Sequence, residues 1–165
     1  MPENDRVYKG KIKQSGIFNF KDFYEFLYDI FMDENYDVFE SKYSEKLKGD
    51  SKDVTINWEA TKEISSYFHF VIKIDWIILE MKKVKVKKDG QDITMDSGAM
   101  EVSFTADLVK DPGDSWKKIK YLRYIYDNFI ARDRINDYEV KLFEEVNEFI
   151  AHGKSFLAIE GQHDY

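Results

Sequence analysis

The sequence predicts an α+β domain: a curved antiparallel sheet, a meander with one long bent hairpin, carrying one helix after the first strand and two C-terminal helices packed on one face. Three observations lead there. Between Phe20 and Phe31 apolar residues recur at spacings of three and four, from Val54 to Leu108 they alternate with polar ones, and beyond Pro112 the helical spacing returns. With 165 residues, 43% of them hydrophobic, the chain fits one domain, 1–165, with segments 1–5 and 161–165 expected as loose tails.

Each element has its own signal. From Val7 to Gln14, Lys9, Lys11 and Lys13 share one face and Tyr8, Gly10 and Ile12 the other, as in a short edge strand shielded by lysines. Ser15-Gly16 punctuates it. Asn19 is placed to cap a helix with Asp22 in its first turn, and Phe20, Phe23, Tyr24, Leu27, Ile30 and Phe31 give that helix one apolar stripe to about Glu34. Tyr36, Val38 and the Tyr43 region then read as a strand closed by the turn Lys48-Gly49-Asp50-Ser51.

Val54, Ile56, Trp58 and Ala60 alternate with Thr55, Asn57 and Glu59, the pattern of a strand with one buried face. The longest strand runs from Tyr67 to about Lys88. Phe68, Phe70, Ile72, Ile74, Trp76 and Ile78 form its core face, while Tyr67, His69, Val71, Lys73, Asp75, Ile77 and Leu79 form a mixed one. Asp89-Gly90 suits the two positive φ angles of a type I′ turn, Asp96-Ser97-Gly98 suggests a bulge or kink, and Met100, Val102, Phe104, Ala106 and Leu108 resume the alternation.

After Asp111-Pro112-Gly113, Asp114 or Ser115 caps a helix bearing Trp116, Ile119, Leu122, Tyr126, Phe129 and Ile130. A break is expected at Arg132-Asp133-Arg134. The last helix then starts near Asp137, turns Val140, Phe143, Val146, Phe149 and Ile150 inward, and extends past Gly153 to about Ile159. Phe23, Leu27, Phe31, Trp58, Phe70, Ile72, Ile74 and Phe104 are the expected core.

In element order the chain resembles the helix-grip arrangement of START-like and polyketide-cyclase-like proteins, whose sheet wraps a long terminal helix and leaves an apolar cavity. It departs from that pattern in having a single helix after the first strand and two terminal helices. The resemblance is one of topology and lends no site residues.

Composition narrows the function. Without cysteine there are no disulfides, thiolate metal sites or thiol nucleophiles, and the eight glycines stand singly, so phosphate-binding loops and nucleophile elbows do not occur. A net charge of −7 argues against a phosphate-backbone footprint, and the one basic cluster, Lys82, Lys83, Lys85, Lys87 and Lys88, has no aromatic neighbours for base stacking. It reads instead as a solvated strand face that resists aggregation. With no membrane-length apolar run and no leader pattern, a cytoplasmic location is expected.

His69 shares the mixed face with Glu59, a conceivable base and its orienting partner, although a hydrogen-bonded structural histidine is the simpler reading. Glu144, Glu148 and His152 recur every fourth residue on the last helix and line a solvent face; no metal set, catalytic residue or cofactor is implied. The expected function is non-catalytic binding of a small apolar or aromatic ligand in a cavity lined by Phe23, Trp58, Phe70, Trp76, Trp116 and Phe149. The alternative is a structural or interaction domain that pairs with a second copy or another protein through Tyr67, Val71, Ile77 and Leu79, or through the long hairpin.

Overall fold

The computed structural model describes residues 3–110 and 132–160. Five strands, β1 (Glu3–Phe18), β2 (Asp37–Lys48), β3 (Ser51–Glu63), β4 (Phe68–Lys88) and β5 (Gln91–Lys110), form one antiparallel sheet in the order β1-β5-β4-β3-β2. Helix α1 (Phe20–Asp33) follows β1, and helix α2 (Arg132–Glu160) follows β5. The helix expected over 114–130, with Trp116, lies outside the described residues, as does segment 161–165.

Both helices cover the same face. Phe68, Phe70, Ile72, Ile74, Trp76 and Ile78 of β4, the alternating apolar residues of β3 and β5, and Phe23, Leu27 and Phe31 of α1 are all buried there, so every expected core residue is in the core. We call this the inner face. The Asn19 side chain accepts the Asp22 N–H at 3.1 Å, giving α1 the expected cap. Asp89 (φ 52°) and Gly90 (φ 75°) form the type I′ turn between β4 and β5.

β1 is twice the length the sequence suggests. Glu3, Asn4 and Asp5, expected in a loose tail, pair with Lys110, Val109 and Leu108, and the strand runs through Gly16 to Phe18. Two features hide this in the sequence: a bulge at Val7 shifts the alternation, and the partner β5, 20 residues long, is distant in sequence. Of the bulge or kink expected at Asp96-Ser97-Gly98, the ladder has a bulge there, but its extra residue is in β4. Leu79 faces Ala99 and Lys82 faces Ser97, so Glu80 (φ 54°) and Met81 together oppose Gly98. A Cβ on Gly98 would lie 2.8 Å from the Leu79 carbonyl oxygen, which explains the glycine.

α2 also corrects the sequence reading. It is already helical at Arg132, where a break was expected, and its buried stripe is Leu142, Val146, Phe149, Ile150 and Leu157. Val140 and Phe143, expected inward, lie on an exposed flank, because a residue beside the stripe is rotated by about 100° from it. Gly153 sits inside the helix, where an added Cβ would be 2.7 Å from Ile12 Cδ1 and 3.6 Å from Phe23 Cε2. The missing side chain lets α2 settle between β1 and α1. Glu145 anchors the helix to the sheet, accepting hydrogen bonds from Tyr36 Oη at 2.6 Å and Lys62 Nζ at 3.0 Å.

Candidate functional site

Of the aromatic residues singled out for a ligand, Phe23, Trp58, Phe70, Trp76 and Phe149 are packed ring against ring on the inner face. Trp76 lies 5.5 Å from Phe23, 5.1 Å from Trp58, 6.0 Å from Phe20 and 5.9 Å from Tyr24, and Phe149 lies 4.4 Å from Phe31, all centroid to centroid. These edge-on and tilted geometries are favourable for aromatic pairs. Phe70 packs edge-on against Tyr138 of α2. One polar atom in the cluster stands out: the buried Trp76 Nε1 has no hydrogen-bond partner among the described residues.

Toward β2 the cluster acquires a polar rim. Trp58 Nε1 donates to Glu40 at 2.9 Å, and the Tyr24 hydroxyl donates to the same carboxylate oxygen. Burial, then Glu40, pushes the Tyr24 hydroxyl up to about 12. Tyr43, partly desolvated and hydrogen-bonded to Glu45, is likewise pushed up to about 12, and burial beside Glu145 holds Tyr36 far above the ordinary range. All three act as neutral donors at physiological pH.

The outer face is mostly polar. Of the four residues expected to form an interface, Ile77 and Leu79 are exposed, at 48% and 47%, Val71 is half-buried, and Tyr67 is buried in the core just before β4. Cavities of about 690, 320 and 310 Å³ open on the outer side, and none is lined by Phe23, Trp58, Phe70, Trp76 or Phe149. The 690 Å³ cavity lies at the β4 bulge, where Asp53 accepts the Glu80 N–H at 2.9 Å and pairs with Lys48 at 2.7 Å.

His69 and Glu59 are not brought together. The register sets His69 opposite Glu63 and Glu59 opposite Lys73, four residues along β4, which is about 13 Å at the usual strand rise. Glu144, Glu148 and His152 are exposed along α2. Among the described residues no group of three or more His, Asp or Glu side chains is placed to hold a metal ion. The lysine hairpin is partly neutralised by acidic residues, with Lys83 pairing at 2.8 Å to the buried Asp96, which also accepts the Phe20 N–H at 2.9 Å.

The surface that sequence reasoning missed is the β2 edge. β2 is exposed along nearly its whole length, and among the described residues it terminates the sheet. Phe39 is 68%, Leu47 78% and Tyr43 45% exposed, and Tyr28 and Met32 on the flanking α1 are 39% and 42% exposed. Tyr24, Tyr28 and Met32 recur every fourth residue, and Tyr24 reaches Glu40 of β2, so this helix stripe borders the same edge. Alternation reveals a strand, but not that β2 projects past the helices. Comparison with family models, curated proteins and solved structures gave no match. No helix among the described residues is long and apolar enough to cross a membrane.

Proposed function

We propose that this chain is a non-catalytic interaction domain that associates with another protein strand along the β2 edge. The observation that carries the reading is the exposure of large apolar side chains along this edge, Tyr43 and Leu47 on its inner side with Tyr28 and Met32 of α1, and Phe39 on its outer side. A terminal strand also offers backbone donors and acceptors for strand addition. The outer-face pair Ile77 and Leu79 is a smaller patch set among Lys13, Glu101, Thr55 and Ser15.

At high concentration the chain is itself a strand donor, so sedimentation equilibrium at about 5 and about 200 µM tests the reading. The unmodified protein is expected to associate, Tyr43→Lys with Leu47→Lys to remain monomeric, and Ile77→Lys with Leu79→Lys to associate as the unmodified protein does. No association at either concentration, or its loss only in the outer-face variant, would overturn the proposal.

A second reading is favoured by Trp76 Nε1. Among the described residues this buried donor has no acceptor, a state that costs about 1–3 kcal/mol, and a small apolar or aromatic molecule carrying an acceptor would satisfy it. The pairing of first strand with last, and a long C-terminal helix on the inner face, support the helix-grip likeness in which such a ligand sits between sheet and helix. Native mass spectrometry decides: the ligand reading expects a retained mass that disappears on denaturation, and the bare chain mass under gentle conditions contradicts it.

A further inference from the structure

The partner at the β2 edge follows from the charge pattern of the strand. β2 has 12 residues, and in its ladder with β3 Glu40 faces Trp58 and Lys42 faces Asn57, so Ser41 is a bulged extra. The other residues are arranged symmetrically about Tyr43, with Asp37, Val38, Phe39, Glu40 and Lys42 before it and Ser44, Glu45, Lys46, Leu47 and Lys48 after it. Val38, Glu40, Tyr43 and Glu45 lie opposite the buried Ala60, Trp58, Ile56 and Val54, which places them on the inner face. By alternation Leu47 joins them, while Asp37, Phe39, Lys42, Ser44, Lys46 and Lys48 are outer.

We infer that a second copy of this chain occupies the β2 edge, its own β2 running antiparallel about a twofold axis at Tyr43, so that the two sheets join into one. This rests on the proposed edge association and specifies its partner. In that register Asp37 meets Lys48 of the second copy, Val38 meets Leu47, Phe39 meets Lys46 and Tyr43 meets itself; the symmetry makes each unlike pair occur twice. Opposite charges, a lysine over an aromatic ring and apolar pairs are all favourable across strands. One contact opposes it, Glu40 against Glu45, but both carboxylates already accept hydrogen bonds, the first from Tyr24 and Trp58 and the second from Tyr43 and Lys52.

The alternatives are worse on the same grounds. A perpendicular twofold keeps inner residues opposite inner ones, so only shifts by two residues are allowed. Shifting one way sets Lys42 against itself, and shifting the other way sets Lys42 against Lys46. At the far side of the sheet, any twofold pairing through the middle of β1 stacks Lys9, Lys11 and Lys13 on one another. A head-to-tail pairing of β1 with β2 brings those lysines onto the same face as Lys42, Lys46 and Lys48, which discourages open fibres and favours a closed dimer.

The chain has no cysteine, so single replacements report the register cleanly. Tyr43→Cys is expected to form a disulfide-linked dimer under mild oxidation on the order of tenfold faster than Lys9→Cys or Asp50→Cys, because only it is held beside its own copy. A mixture of Lys42→Cys and Ser44→Cys chains, which retains Tyr43, is expected to cross-link to each other in preference to themselves. A protein that dimerises by sedimentation but shows neither pattern overturns the twofold register and leaves edge association standing. A monomer at about 200 µM with no cross-link above the Lys9→Cys rate overturns both.

Discussion

Replacing Gly153 tests the close approach of α2 to the sheet. An added Cβ would lie 2.7 Å from Ile12 Cδ1, 3.5 Å from Leu27 Cδ2 and 3.6 Å from Phe23 Cε2. On an exposed helix Gly→Ala would stabilise by about 0.8–1.0 kcal/mol, whereas an extra methyl in a filled core costs about 1–3 kcal/mol. Ile12, Leu27 and Phe23 are all buried, so the Ile12 side chain has little room to yield. Gly153→Ala is therefore expected to destabilise by about 1 kcal/mol.

Ile12→Val removes the atom in the way and costs about 0.5–1.5 kcal/mol alone. In the Ile12→Val background Gly153→Ala has only its helix-propensity gain and is expected to stabilise by about 1 kcal/mol, a coupling of about 2 kcal/mol. Urea titrations of the four proteins, followed by helical circular dichroism, measure it. A rise of about 1 kcal/mol from Gly153→Ala in both backgrounds would refute the contact.

Other expectations follow from the same packing and electrostatics. Phe70→Ala is expected to cost about 3–5 kcal/mol, and an unchanged denaturant midpoint would contradict its burial on the inner face. Tyr24 and Tyr43 are pushed from the usual value of 10.0 up to about 12, so the unfolded chain loses these protons first. Their contribution to stability is complete below pH 10 and falls as pH rises toward 12; a denaturation midpoint that holds constant to pH 12 would contradict it. Replacing Lys83, Lys85 and Lys87 by Gln is expected to leave nucleic-acid binding negligible while lowering solubility, and submicromolar, salt-sensitive DNA binding by the unmodified protein in fluorescence anisotropy would overturn this.

What the sequence conveyed was local. The α1 stripe with its Asn19 cap, the Asp89-Gly90 turn and the core faces of β3, β4 and β5 depend on neighbours a few residues apart, and all were legible. The pairing of β1 with β5 joins residues about a hundred positions apart and leaves no periodic trace. Arg132-Asp133-Arg134 read as a break because it contributes nothing to the stripe, yet the exposed turn is helical all the same. The distance between His69 and Glu59 depends on register, which alternation leaves open. Tyr43 and Leu47 show the same limit from the other side, since their alternation marks a strand and only the reach of the helices decides whether they are covered.

Amide hydrogen exchange of β2, residue by residue, at about 5 and about 200 µM bears most directly on the proposal of edge association. In a terminal antiparallel strand alternate N–H groups point away from the neighbour, and these are free to exchange unless another strand accepts them. Association predicts that this alternate set between Asp37 and Lys48 becomes protected at the higher concentration, while the β1 amides facing away from β5 exchange equally fast at both. Identical exchange of the β2 amides at the two concentrations, or new protection on β1 alone, would contradict it.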